Sequence, residues 1–181
     1  MRLPQRLRSP VLVLLVSLAA GCGTTTPRDT IAPLTFVVVR HAEKAKDDPE
    51  NPSLSAAGLA RADALAERLR SGPLVAAYAT EFRRTRQTAQ PTATAHRLPV
   101  GAYYARGPAD EIAAQWKQAH RAGTVLVVGH SNTVPDLVAA LCACVTAPMD
   151  DSEYDRISIV RIGSDGRATL DVQRYGAPSP R

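Results

Sequence analysis

The sequence predicts an α/β fold, a three-layer sandwich in which a mostly parallel sheet is covered by helices on both faces and ends in a C-terminal antiparallel hairpin at its edge. Two observations carry this expectation. Short β-branched runs without polar alternation, the pattern of strands buried on both faces, recur between segments of helical period. The last such segment is followed by two alternating runs around a turn, the pattern of a hairpin. The 181 residues, 45% hydrophobic and 22% charged, suffice for one domain with a real core.

The elements follow in order. "LTFVVVR" (34–40) is a short apolar strand. In "SAAGLARADALAERLRSG", Leu59, Ala62, Leu65, Ala66 and Leu69 fall at helical spacing, Ser55 is placed to cap, and Gly72-Pro73 ends the helix. "LVAAYAT" (74–80) is a second strand, and "RRTRQTAQPTATAHRL" a helix that Pro91 should bend or restart. "VGAYYA" is a short strand, and "PADEIAAQWKQAHRAG" a helix with Pro108 and acids in its first turn and Gly123 after it. "TVLVVGH" is the clearest buried strand, with the helix "TVPDLVAALCA" behind it. "YDRISIVRIGSDGRATLDVQRYG" folds back around Ser164-Asp165-Gly166.

The chain before Leu34 reads differently. "MRLPQRLRSP" carries Arg2, Arg6 and Arg8 without an acid, and "VLVLLVSLAA" is a short apolar run, half the length needed to span a bilayer. Residues 1–21 are therefore expected to be a secretory signal, with a tether to residue 33, a domain over 34–176 and a tail over 177–181. Leu18-Ala19-Ala20-Gly21-Cys22 resembles a bacterial lipobox, although Ala19 stands where leucine is usual. That resemblance implies lipidation of Cys22, a membrane anchor and an outer-membrane lipoprotein facing the periplasm, with a soluble periplasmic protein as the alternative. Removing three arginines leaves 19 basic residues against 17 acids, so the formal charge of +5 is weak support for a nucleic-acid partner. Cys142 and Cys144 either pair in an oxidising compartment or serve as two small hydrophobes at a helix end.

Ligands of open α/β sheets bind beyond the carboxyl ends of the strands. Here the first strand ends at Arg40-His41, the second at Thr80-Glu81 with Arg83, Arg84 and Arg86 following, and the fourth at Gly129-His130-Ser131. His96 and His120 sit late in helices instead. Arginines and imidazoles converging on one sheet edge call for an anion, and phosphate fits, because a guanidinium donates two parallel hydrogen bonds to its oxygens. One neutral imidazole can attack phosphorus, and the other can steady the charge of the transition state.

These residues resemble the histidine phosphatase (phosphoglycerate mutase-like) superfamily, in its small phosphatase branch. "VVVRHAEK" is similar to its Arg-His signature, "ATEFRRTRQTA" to its second-arginine segment, "VVGHSNTVP" to its Gly-His-Ser segment, and "LSAAGLARADALAERL" to the helix after the first motif. The resemblance implies hydrolysis of phosphomonoesters through a phosphohistidine on His41, with Arg40, Arg84 and His130 binding the phosphoryl group, and no metal or other cofactor. Arg84, rather than Arg83 or Arg86, lies three places before Gln87 as the motif requires. The implied substrate is a phosphorylated small molecule or an envelope phosphoester. Asp110, Glu111 and Glu81 are the candidates for a general acid, and none is preferred. Glu43 and Lys44 are either a solvated loop or part of substrate recognition. The competing readings are an idle phosphate-binding lipoprotein, a metal-binding envelope protein using His41 and His130, and a mutase-type phosphotransferase. The short span from Arg84 to His130 leaves little chain for a lid and disfavours the mutase.

Overall fold

The computed structural model describes residues 32–179. The expected signal (1–21), the lipidation at Cys22 and most of the tether lie outside the described residues. No helix among those described is long and apolar enough to cross a membrane.

Ten elements alternate along the chain: β1 (Leu34–Arg40), α1 (Ala56–Leu69), β2 (Leu74–Thr80), α2 (Arg83–Ala95), β3 (Val100–Tyr103), α3 (Ala109–Ala119), β4 (Gly123–Gly129), α4 (Val134–Cys142), β5 (Arg156–Ile162) and β6 (Ala168–Arg174). The six strands form one sheet in the order β3-β2-β4-β1-β5-β6. The first four are parallel, and β5 and β6 add the antiparallel edge. The expected α/β architecture is present.

Alternation of side chains across the pleat explains why β1 and β4 carry no polar residues in their middles. Phe36, Val38, Val125 and Val127 face a core shared with Trp116 of α3 and Leu137 and Leu141 of α4. Val37, Val39, Leu126 and Val128 point to the other face, where they meet Leu65 of α1 and Ala89 and Ala93 of α2. Each fully buried valine or leucine contributes roughly 1.5–3 kcal/mol. The two central strands are thus held from both sides, and their carboxyl ends make a firm platform.

Local signals behave as the residues dictate. Ser55 caps α1 by accepting from the backbone N–H of Gly58 (3.2 Å). Gly166 takes a positive φ of 77° in the β5–β6 turn, a conformation that glycine adopts without strain. Of the two outcomes expected at Pro91, a bend or a restart, the restart does not occur: the proline lies inside one continuous helix, α2. The proline removes one N–H donor, while buried Thr88, Ala89, Thr92 and Ala93 anchor the turns on both sides of it. At the end of α4, Cys142 and Cys144 are joined in a disulfide around Ala143, which has a left-handed backbone (φ 51°).

Candidate active site

The parallel register of β1 and β4 pairs Arg40 with Gly129. The next step of the same ladder, the N–H of His41 to the carbonyl of Gly129 (2.9 Å), brings His41 level with His130. Their rings stand 5.4 Å apart, edge to face. Both side chains are buried, as is that of Arg40. Arg84 enters from the first turn of α2, because β2 ends beside β4 and the chain turns at Phe82. One pocket of about 270 Å³ is lined by Arg40, His41, Arg84 and His130 together with Lys44, Phe82, Ala105, Arg106, Ser131, Asn132, Thr133 and Asp151. The four residues singled out in the sequence therefore meet.

The protonation of His41 follows from one contact. Its Nδ1 lies 2.8 Å from the carbonyl oxygen of Ala42, which can only accept, so Nδ1 carries the hydrogen. Burial, reinforced by the charges of Arg40, His130 and Arg84, lowers the pKa of His41 to about 3 against the opposing effect of that carbonyl. At neutral pH the ring is uncharged and its Nε2 keeps a lone pair. His130 is likewise depressed to about 4, first by burial and then by Arg84. Its Nε2 is 3.0 Å from Oγ1 of Thr80, which is 2.8 Å from Oγ1 of Thr85.

The two arginines are held differently. Nη1 of Arg40 donates to the carbonyls of Asp150 (3.2 Å), Asp151 (2.6 Å) and Glu153 (3.4 Å), and its guanidinium stacks 4.2 Å from the ring centre of Tyr154. The guanidinium of Arg84 sits 4.4 Å from the ring centre of Phe82. Its Nε and Nη1, and Nε of Arg40, are buried without a hydrogen-bond partner among the described residues. Burial lowers the Arg84 pKa, with Arg40 adding to the effect. Such a cluster of unmet donors and neighbouring cations costs stability unless an anion completes it.

The remaining sequence candidates are placed less centrally. Arg83 pairs with Asp47 and Asp48 on the surface, at 3.7 and 3.8 Å. Asp110 and Glu111 are exposed in the first turn of α3 and do not line this pocket. Glu81 is exposed, and its Oε2 accepts from the N–H of Ala105 (3.2 Å). Its charge partly offsets the depression of His130. Glu43 is not a solvated loop residue: it forms a partly buried ion pair with Arg61 at 2.7 Å. His96 and His120 follow α2 and α3 and bond to the Leu69 carbonyl and the Tyr78 hydroxyl, each at 3.0 Å. Sequence reading missed Thr80, Thr85, Arg61 and Tyr154. The signal for Arg61 was available, a cation at an apolar position of α1; the partners of Thr80 and Tyr154, His130 and Arg40, lie far along the chain, whereas the Thr85 hydroxyl bonds locally to Thr80 and Phe82. Among the described residues no group of three or more His, Cys, Asp or Glu side chains could hold a metal ion.

With this geometry in view, comparison with known proteins is informative. A family model described as the histidine phosphatase superfamily (branch 1) matches residues 36–104, a span that carries Arg40, His41 and Arg84 and stops before His130. The structure is similar to that of the protein histidine phosphatase SixA complexed with tungstate, with a TM-score of 0.65 and 24% identity over 78% of this chain and 96% of that one. The fold is the histidine phosphatase fold. A mycobacterial glucosyl-3-phosphoglycerate phosphatase in complex with VO3 (TM-score 0.58, 16% identity, covering 78% of this chain and 99% of the other) shares it. So does a phosphoserine phosphatase from Entamoeba histolytica in complex with 3-phosphoglyceric acid (TM-score 0.55, 12% identity, 80% and 97%). Comparison with curated proteins gave no significant match.

Proposed function

We propose that the protein is a phosphomonoester hydrolase of the histidine phosphatase type, acting through a phosphohistidine on His41. The observation that carries this reading is the neutral, Nδ1-anchored ring of His41 beside two arginines that lack partners for buried N–H groups. Arg84, Arg40 and His130 hold the phosphoryl oxygens, and their charge stabilises the equatorial oxygens as the bond to the leaving group lengthens. The Nε2 lone pair of His41 forms the P–N bond while the P–O bond to the leaving group breaks, its electron pair staying on the departing oxygen. Water then bonds to phosphorus, the P–N electron pair returns to Nε2, and inorganic phosphate leaves. The Ala42 carbonyl accepting from Nδ1 keeps the ring in the reactive tautomer throughout and steadies the positive charge that the phosphorylated ring acquires.

The cationic charge of the two arginines meets the phosphoryl group without requiring a metal ion. Hydrolysis of p-nitrophenyl phosphate by the protein, with EDTA present and His41→Ala as the control, tests the reading. Activity that survives EDTA and disappears in the variant is expected. Activity lost only on chelation would overturn the metal-free route, and equal turnover by the variant would overturn His41 as nucleophile.

A further inference from the structure

Beside the phosphoryl pocket lies a second cavity of about 250 Å³, lined by Tyr103, Ala105, Gly107, Pro108, Ala109, Ile112, Thr133, Asp136 and Leu137. It shares Ala105 and Thr133 with the phosphoryl pocket. These two small residues border both spaces. Most of the remaining lining side chains are apolar, although about half of the surface open to the cavity is polar. Gly107 lets the 104–108 loop close over Ile112, since a Cβ there would come within 2.9 Å of Cδ1 of that residue. The Tyr103 hydroxyl donates to the carbonyl of Val128 (3.2 Å), which turns its polar end to the sheet. Thr133 accepts from the N–H of His130 (3.0 Å), tying this cavity to the catalytic strand end.

A second observation concerns the leaving group. Asp151 is the carboxylate that lines the phosphoryl pocket, and its side chain is 89% exposed and 3.6 Å from Arg40. Asp110 and Glu111 do not line it, and Glu81 is bonded to the Ala105 N–H. Among the described residues no buried carboxyl group is placed to protonate a departing oxygen, so the site suits a leaving group that is stable as an anion, as phenols are and simple alcohols are not.

Resting on the phosphatase reading, we propose that the physiological substrate is the phosphomonoester of an aromatic alcohol, with its ring seated in the cavity between Ile112, Leu137, Tyr103 and Pro108. The cavity volume falls below the ~300–1,000 Å³ of sites for drug-sized ligands, which sets the occupant at one or two rings. Asp136 supplies one polar corner, and Lys44 and Arg106 stay on the phosphoryl side.

The test compares acetyl phosphate, phenyl phosphate and 2-naphthyl phosphate on the protein and on Ile112→Glu. Acetyl phosphate carries an easily departing group too small to fill the cavity. Naphthyl phosphate is expected to exceed phenyl phosphate in kcat/KM by roughly tenfold, the discrimination an apolar pocket gives to added hydrocarbon. In Ile112→Glu that ratio falls to near one while acetyl phosphate hydrolysis is retained. A naphthyl-to-phenyl ratio of one in the unaltered protein, or a ratio that survives Ile112→Glu, overturns the aromatic subsite and leaves the phosphatase reading standing. Failure of the unaltered protein to hydrolyse all three compounds overturns both. If Ile112→Glu does not fold, Ile112→Thr carries the same comparison with the same two outcomes.

Discussion

Oγ1 of Thr80, at the tip of β2, lies 3.0 Å from Nε2 of His130, at the tip of β4, and both residues are buried. Thr85 extends the line, its hydroxyl lying 2.8 Å from Oγ1 of Thr80 and 2.7 Å from the Phe82 carbonyl. For His130 to donate to a phosphoryl oxygen from Nδ1–H, its Nε2 accepts from the Thr80 hydroxyl. This line of contacts fixes the ring and leaves Nδ1 without a partner among the described residues. Thr80→Val is expected to lower kcat by about tenfold with little change in stability of the fold, and Thr80→Ser to restore it. Ring ¹⁵N shifts of His130 check the cause: the variant should show mixed tautomers where the parent shows one. A single unchanged tautomer in Thr80→Val would remove Thr80 as the positioning residue.

Arg84 offers a separation of stability from function. Two of its buried nitrogens have no partner, and each unmet donor costs on the order of 1–3 kcal/mol. Arg84→Met keeps the apolar stem over Phe82 and discards those donors. In phosphate-free buffer the variant is expected to be more resistant to urea than the parent by about 1 kcal/mol, while phosphatase turnover drops at least a hundredfold. Inorganic phosphate should raise the melting temperature of the parent and not of the variant. Chemical denaturation and thermal melts with and without phosphate decide the matter. Lower stability for Arg84→Met in phosphate-free buffer would show that the guanidinium is satisfied without an anion.

Much of this site was legible in the chain before any coordinates, and the reason is local. Each of Arg40, His41, Arg84 and His130 stands at the end of an apolar strand or just after it, and in a parallel sheet such ends share one edge. Ser55, Gly166 and the periodicity of α1 announced themselves through three- to five-residue patterns. What stayed hidden depends on pairs distant in sequence. The ion pair of Glu43 with Arg61 and the Thr80–His130 contact each require knowing which faces meet. The pairing of Cys142 with Cys144 was one of two open alternatives in the sequence, and the left-handed turn at Ala143 brings the two together. Pro91 does not restart the helix, one of the two outcomes expected of it, because propensity is a local quantity and burial of one face of α2 overrides it.

The two depressed histidines set a pH dependence with a definite sign. His41 titrates near 3 and His130 near 4 in the folded protein, whereas both return to about 6.5 on unfolding. Above pH about 6.5 neither state binds these protons, and the histidines place no penalty on folding. Between about 6.5 and 4 the unfolded chain takes up protons that the native protein refuses, so stability falls as pH falls. Urea unfolding at pH 7.5 and 5.0 should show this loss, and His41→Gln should flatten it. Equal or greater stability at pH 5.0 in the parent would contradict the burial of neutral rings.

Gly58 couples the helix α1 to the active-site loop. A Cβ added there would lie 2.3 Å from the carbonyl oxygen of Glu43, two residues beyond His41. The neighbouring backbone cannot yield, because the Glu43 carbonyl already accepts from the N–H of Ser55 (2.9 Å) and the Glu43 carboxylate is held by Arg61. Gly58→Ala is expected to cost about 1–3 kcal/mol and, on the proposed mechanism, to reduce kcat more than it raises KM, since it moves His41. Melting curves and steady-state kinetics on p-nitrophenyl phosphate measure the two effects. Parent-like stability would mean that the loop has room to retreat.

The order of strands in the sheet also governs when a working site can exist at all. β1 ends on Arg40 and leads into His41, and it precedes the other five described strands, yet Leu34 pairs with Gly123 on one side and Ile162 on the other. Both partners lie far downstream, so the nascent strand must wait, unpaired and strongly apolar, until most of the chain has emerged. Such non-local pairing slows folding and exposes sticky edges on the way. Completion of the pocket is therefore a late event, and a chain truncated before β4 would present the Arg40-His41 end with nothing to align it.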